Sequence, residues 1–123
     1  IERIHNETGG WPHLVQLVAE CIIDLLNEEG VQVVNKNIFF KALSLAIVRG
    51  HNVFFELMKR ESILPGEWEY LATFRRQVNQ PIPDNEKVVA SLRRRLLIEE
   101  EGDEWRLRIP LMRQWLYERG SYL

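Results

Sequence analysis

The stretch Leu92-Arg93-Arg94-Arg95-Leu96-Leu97-Ile98-Glu99-Glu100-Glu101-Gly102-Asp103-Glu104-Trp105-Arg106-Leu107-Arg108-Ile109-Pro110 decides how the second half of this chain folds. It opens on the end of a helix: Val88, Val89, Leu92 and Leu96 fall on one side at about 100° per residue, with Asp84 as N-cap and Arg95 near the last turn. Trp105, Leu107 and Ile109 then alternate with Arg106 and Arg108, the period of a half-buried strand. Leu97–Glu100 supplies its partner across a turn containing Gly102-Asp103, a pair suited to a tight hairpin. Pro110 ends the strand and suits the first turn of a closing amphipathic helix with Leu111, Met112, Trp115 and Leu116 inside.

Upstream, Asn52–Arg60 reads as a short helix carrying Val53, Phe54, Leu57 and Met58. Pro65-Gly66 opens another that runs through Val78, with Trp68, Leu71, Ala72 and Phe74 among its apolar positions. Asn79 to Pro83, with two prolines, reads as a loop. Three helices followed by a two-stranded hairpin is the element order of a winged helix-turn-helix.

The first fifty residues are patterned differently. Leu14 to Leu26 is apolar except for Gln16, Glu20 and Asp24, which join His13 and Asn27 in one narrow polar stripe, so this helix is expected to be buried on most sides. Glu2–Glu7 reads as helix stopped by Gly9-Gly10, because glycine tolerates the left-handed conformation of a helix stop, and Pro12 starts the next helix. After Glu28-Glu29-Gly30 comes a short extended piece, Val31–Val34, then a helix capped by Asn35 or Asn37 with apolar positions from Ile38 to Val48 and ended by Gly50. The expectation is a mainly α chain: a helical bundle over residues 1–50, then a winged helix-turn-helix with a two-stranded β-hairpin over 51–123.

Composition narrows the function. Charges nearly balance, 16 Lys and Arg against 18 Asp and Glu, which lacks the basic excess of a general nucleic-acid binder. The longest uncharged run, Thr8–Ala19, is twelve residues, short of the roughly 18–20 that a membrane span needs, so no membrane partner is expected. The lone cysteine, Cys21, sits in an apolar run and points to a reducing, cytoplasmic setting. His5, His13 and His51 are scattered without metal-ligand spacing, and Ser44, Ser62, Ser91 and Ser121 have no nucleophile context, so neither a metal nor a self-contained enzyme is expected. A start at Ile1 without a leader suggests a piece of a longer protein.

Thr8-Gly9-Gly10-Trp11-Pro12-His13-Leu14-Val15-Gln16-Leu17 resembles the opening of the lid subdomain in AAA+ and STAND-type P-loop ATPases. Leu92-Arg93-Arg94-Arg95-Leu96-Leu97, an acidic turn, and Trp105 to Leu116 resemble the closing winged helix of the same family, with Arg95 where that family often has glycine. The resemblance implies that Gly10, Trp11 and Pro12 approach the base and ribose of ATP or ADP. It also implies that the chain works as a regulatory module against an N-terminal P-loop core, with a protein partner possible. Glycine allows close backbone approach, proline offers a rigid apolar ring, and a helix start offers free N–H groups. No Gly-x-x-x-x-Gly-Lys-Ser/Thr occurs, so the chain itself is not expected to hydrolyse ATP or hold it alone.

The rival reading is a DNA-binding module. On the helix ending at Arg95, Lys87, Ala90, Ser91 and Arg94 lie opposite the apolar side, as a recognition helix would present cations to a major groove. Against it, Glu99, Glu100, Glu101, Asp103 and Glu104 would bring like charge to the phosphates, and residues 51–123 carry 12 basic and 12 acidic side chains, leaving no basic footprint.

Overall fold

Asn35 shows how local sequence sets the first elements: its side-chain oxygen accepts from the Ile38 amide at 2.8 Å and starts helix α3 (Lys36–Arg49). The computed structural model describes residues 2–81 and 85–119, and the chain divides into two compact units, Ile1–His51 and Asn52–Leu123. In the first unit α1 (Glu2–Thr8) stops at Gly9 and Gly10, whose φ values of 63° and 77° are left-handed. The buried Thr8 hydroxyl donates to the Ile4 carbonyl at 2.7 Å, and the Gly10 amide donates back to His5 at 3.2 Å. Helix α2 (Pro12–Glu29) follows with Pro12 in its first turn and ends at Gly30, φ 70°.

Leu14, Val18, Cys21 and Ile22 form the buried stripe of α2 and pack chiefly on α3, which contributes Ile38, Phe39, Ala42, Leu43, Ala46 and Ile47. The expectation that α2 is buried on most sides is corrected. Ile23 is 56% exposed, because α1 and α3 are the helices that pack on α2 and they cover one side of it. Val31–Val34 forms no strand and faces solvent.

Helix α4 (His51–Phe55), which enters the second unit at Asn52, runs into a π-helical turn, Glu56–Arg60, where a plain helix was expected. Helix α5 (Glu67–Thr73) starts after Gly66, φ 93°, and ends five residues before the expected Val78. Its end tightens into i+3 bonds, Phe74 to Leu71, Arg75 to Ala72 and Arg76 to Thr73. The next residues were expected to be loop, yet Asn79–Gln80 forms β1, pinned by the Gln80 side-chain Nε2 donating to the Thr73 carbonyl (3.2 Å) and by the Tyr70 hydroxyl donating to the Pro81 carbonyl (3.1 Å). Pro83 and the Asp84 cap lie outside the described residues, as does Ser121. Asn85 caps α6 (Glu86–Arg94), accepting from the Lys87 and Val88 amides at 3.0 and 3.4 Å.

The hairpin forms as expected. Strands β2 (Ile98–Glu101) and β3 (Glu104–Leu107) pair antiparallel with Glu101 opposite Glu104, so Gly102-Asp103 is a two-residue loop with Gly102 at φ 63°. The sheet order is β1-β3-β2. Trp105, Leu107 and Ile109 point inward, Arg106 and Arg108 outward, and α7 (Pro110–Arg119) buries Leu111, Met112, Trp115 and Leu116. Trp115 stacks on Phe54 at 6.0 Å, joining the last helix to the first of this unit.

Leu96 is not on the apolar face as its spacing implied. The Leu97 amide donates to Leu92 and the Leu96 amide to Arg93, both at 3.0 Å, which closes α6 as a Schellman turn with Leu96 in its left-handed position, φ 58°. A side chain there costs about 1–2 kcal/mol, and glycine returns roughly 0.5–1 of that through unfolded-state freedom. Leu96 is 48% exposed, so truncating it also gives up about half of a leucine's burial, roughly 1 kcal/mol. Leu96→Ala gives up the same burial and keeps the strained Cβ, so Leu96→Gly is expected to exceed Leu96→Ala in unfolding free energy by up to about 1 kcal/mol, read as a higher urea midpoint.

Candidate functional site

The Gly10-Trp11-Pro12 corner is built by the stop of α1 and the start of α2. A Cβ on Gly10 would sit 2.7 Å from His5 Nε2, so the turn is close as well as left-handed. Trp11 holds an extended conformation (φ −66°, ψ 122°) and has no side-chain acceptor to cap the first amides of α2; it is half-buried, while Pro12 is exposed. The corner thus presents an open proline ring beside the positive end of an 18-residue helix.

The α6 face expected to meet DNA is divided by the structure. Lys87 and Arg94 are exposed, but Ser91 is a correction: it is 5% exposed and its hydroxyl donates to Glu67 at 2.6 Å, because the buried face of α6 includes position 91 as well as 88 and 92. The neighbouring cations are engaged. Arg93 lies over the Trp105 ring at 5.3 Å, Arg95 turns inward, and Arg106 on β3 reaches Glu99 at 2.8 Å and Glu101 at 2.7 Å.

The structure assembles one cluster that the sequence reading missed. Glu67 is fully buried and its carboxylate accepts from Ser91 (2.6 Å), from the Leu64 amide (2.8 Å) and from Arg95 (3.1 Å). Arg95 also donates to the Leu57 carbonyl in the π turn and lies 4.0 Å from Glu61. Two spacings carried the signal: Glu67, Leu71 and Phe74 share one helix face at i, i+4, i+7, and Ser91 and Arg95 are one turn apart. Burial pushes the Glu67 carboxyl up, but Ser91, the Leu64 amide and Arg95 together hold it below its ordinary value, so it is ionised near neutrality and no general acid. The cluster closes on itself as a clasp joining the π turn, α5 and α6.

Other chemistry is sparse. Cys21 is buried, and burial pushes its thiol pKa up although Arg49 Nη1 lies 3.9 Å from the sulfur, so it is a poor nucleophile. Among the described residues no group of three or more His, Cys, Asp or Glu could hold a metal ion, and no single helix is long and apolar enough to cross a membrane. No protein-family model, curated protein or solved structure matches the chain.

Removing one partner of a buried ion pair costs roughly 3–5 kcal/mol. Arg95→Ala should lower unfolding free energy by about that much, whereas the exposed Arg94→Ala stays within roughly 0.5 kcal/mol. The pH dependence has a definite sign. Because the folded Glu67 value is depressed, its contribution is complete above the unfolded pKa of about 4.3 and disappears as pH falls through the lower folded value. Denaturant titrations at a series of pH values should show the stability gap between the native chain and Glu67→Gln narrowing with acid.

Proposed function

We propose that the chain is a regulatory interaction module of a larger AAA+/STAND-like P-loop ATPase, its first unit acting as a lid on the nucleotide and its winged-helix unit making interdomain or partner contacts. The observation that carries this reading is the Gly10-Trp11-Pro12 corner, where left-handed backbone, an exposed proline and an uncapped helix start coincide within the lid-like phrase. ATP or ADP would be held between this corner and a P-loop core supplied elsewhere in a cytoplasmic parent polypeptide; this chain performs no catalysis. Nucleotide shifts the position of the lid only as far as its affinity differs between the two arrangements.

The DNA-binding alternative is weakened by the engagement of Arg93, Arg95 and Arg106 and the burial of Ser91. Two measurements test the assignment. Photolabelling of the intact parent protein with an azido-ATP should mark the peptide containing Gly10, Trp11 and Pro12; absence of a P-loop in its reading frame, or labelling confined to other peptides, overturns the lid reading. In fluorescence titrations at two salt concentrations, duplex DNA should show no salt-dependent affinity and Arg94→Ala no effect. A steep salt slope abolished by Arg94→Ala would establish the rival.

A further inference from the structure

A second feature of the first unit is independent of the nucleotide corner. The end of the α2–α3 connection, α1 and the start of α3 enclose a groove of about 320 Å³, lined by Arg3, Ile4, Ile22, Val34, Asn35, Lys36 and Phe39. Its floor is Ile22 and Phe39 and its walls are Ile4 and Val34, so the space is apolar. Among the described residues its polar rim carries two cations, Arg3 and Lys36, and no carboxylate, while the Asn35 side-chain oxygen is occupied in capping α3. The Arg3 guanidinium stands over the Phe39 ring at 4.6 Å, which holds the charge at the lip of the apolar floor; Glu7, one turn along α1, is the acid in its field. Exposed Val31 and Val33 (42% and 74%) lie on the same connection as Val34, immediately before the groove.

We infer that this groove docks a short amphipathic segment of another protein, its apolar side chains seated on Ile4, Ile22, Val34 and Phe39 and its carboxylates facing Arg3 and Lys36. Charge selects the occupant: an apolar floor with a cationic rim favours a ligand that is apolar on one side and acidic beside it, and rejects a basic one. The volume suits one or two large side chains, so a helical segment with anchors at i and i+4 fits better than a broad domain surface.

The test is a ¹⁵N-NMR titration of the chain with a twelve-residue helical peptide carrying leucine and phenylalanine anchors at i, i+4 and i+7 and glutamate elsewhere. A lysine-for-glutamate peptide and decanoate serve as comparators. Amide shifts centred on Arg3, Ile4, Ile22, Val34, Lys36 and Phe39, at least tenfold weaker for the lysine peptide and for Arg3→Glu/Lys36→Glu, are expected. Both substituted positions are exposed, so circular dichroism of that variant should match the native chain. Equal binding of the lysine peptide, shifts elsewhere, or no shifts at millimolar peptide overturn the proposal; shifts with decanoate alone assign the groove to a small amphiphile instead. ATP plays no part in this titration, so the lid reading stands or falls separately.

Discussion

A single buried carboxylate organises the second unit. Glu67 is out of water altogether, and an ion so placed costs several kcal/mol unless its oxygens are filled. They are filled from three directions: the Leu64 amide before α5, Ser91 on α6 and Arg95 at the end of α6. Arg95 also donates, from its other terminal nitrogen, to the Leu57 carbonyl. In an α-helix that carbonyl would accept the Glu61 amide, but here the Glu61 amide bonds to Glu56, in π register, and Leu57 is left for arginine. The irregular turn and the arginine therefore account for each other, and three segments far apart in sequence are fixed in one arrangement that hydrophobic packing alone leaves less specific.

The same arginine explains how α6 meets the hairpin. Since Arg95 is drawn inward toward Glu67, the left-handed residue of the helix stop falls at Leu96, one place after the position where the resembled phrase has glycine. Leu97 and Ile98 are then delivered into the core and Glu99 into the sheet, opposite Arg106. Arg106 bridges Glu99 and Glu101, which cancels part of the acidic surface of the hairpin and removes a cation from it. Arg106 is thereby matched locally and adds no unpaired charge to a positive field at the hairpin.

Much of this was legible because it rests on short-range rules. The alternation of Trp105, Leu107 and Ile109, the Gly102-Asp103 turn, the Asn35 cap, the Gly9-Gly10 stop and the four inner positions of α7 each depend on residues within a turn or two of one another. What escaped depends on distant partners. Strand β1 exists because β3 offers it an edge, with Asn79 opposite Arg106; the prolines nearby hid it. Helical spacing puts Ser91 opposite Val88, Val89, Leu92 and Leu96, but the carboxylate that draws its hydroxyl inward lies 24 positions upstream, beyond the reach of local periodicity. Leu96 escapes helical spacing because the helix ends at Arg94 and Leu96 lies beyond it in the left-handed position. At the candidate site, the open proline and uncapped amides follow from the sequence, whereas the His5 ring pressed close to Gly10 does not.

In the proposed lid, the mechanical part is α2 and its attachment to α3. Eighteen residues of α-helix span about 27 Å, so a displacement at Pro12 is carried rigidly to Glu29. The ion pairs between the helices, Asp24 with Arg49 and Glu29 with Lys41, are exposed and screened by solvent, so they add little resistance to motion. The buried stripe of Leu14, Val18, Cys21 and Ile22 against Ala42, Leu43, Ala46 and Ile47 does resist it, because close-packed interiors do not slide continuously. A push on the corner therefore moves the whole first unit before it moves α2 within that unit, and the compliance that a nucleotide switch needs lies outside this helical pair.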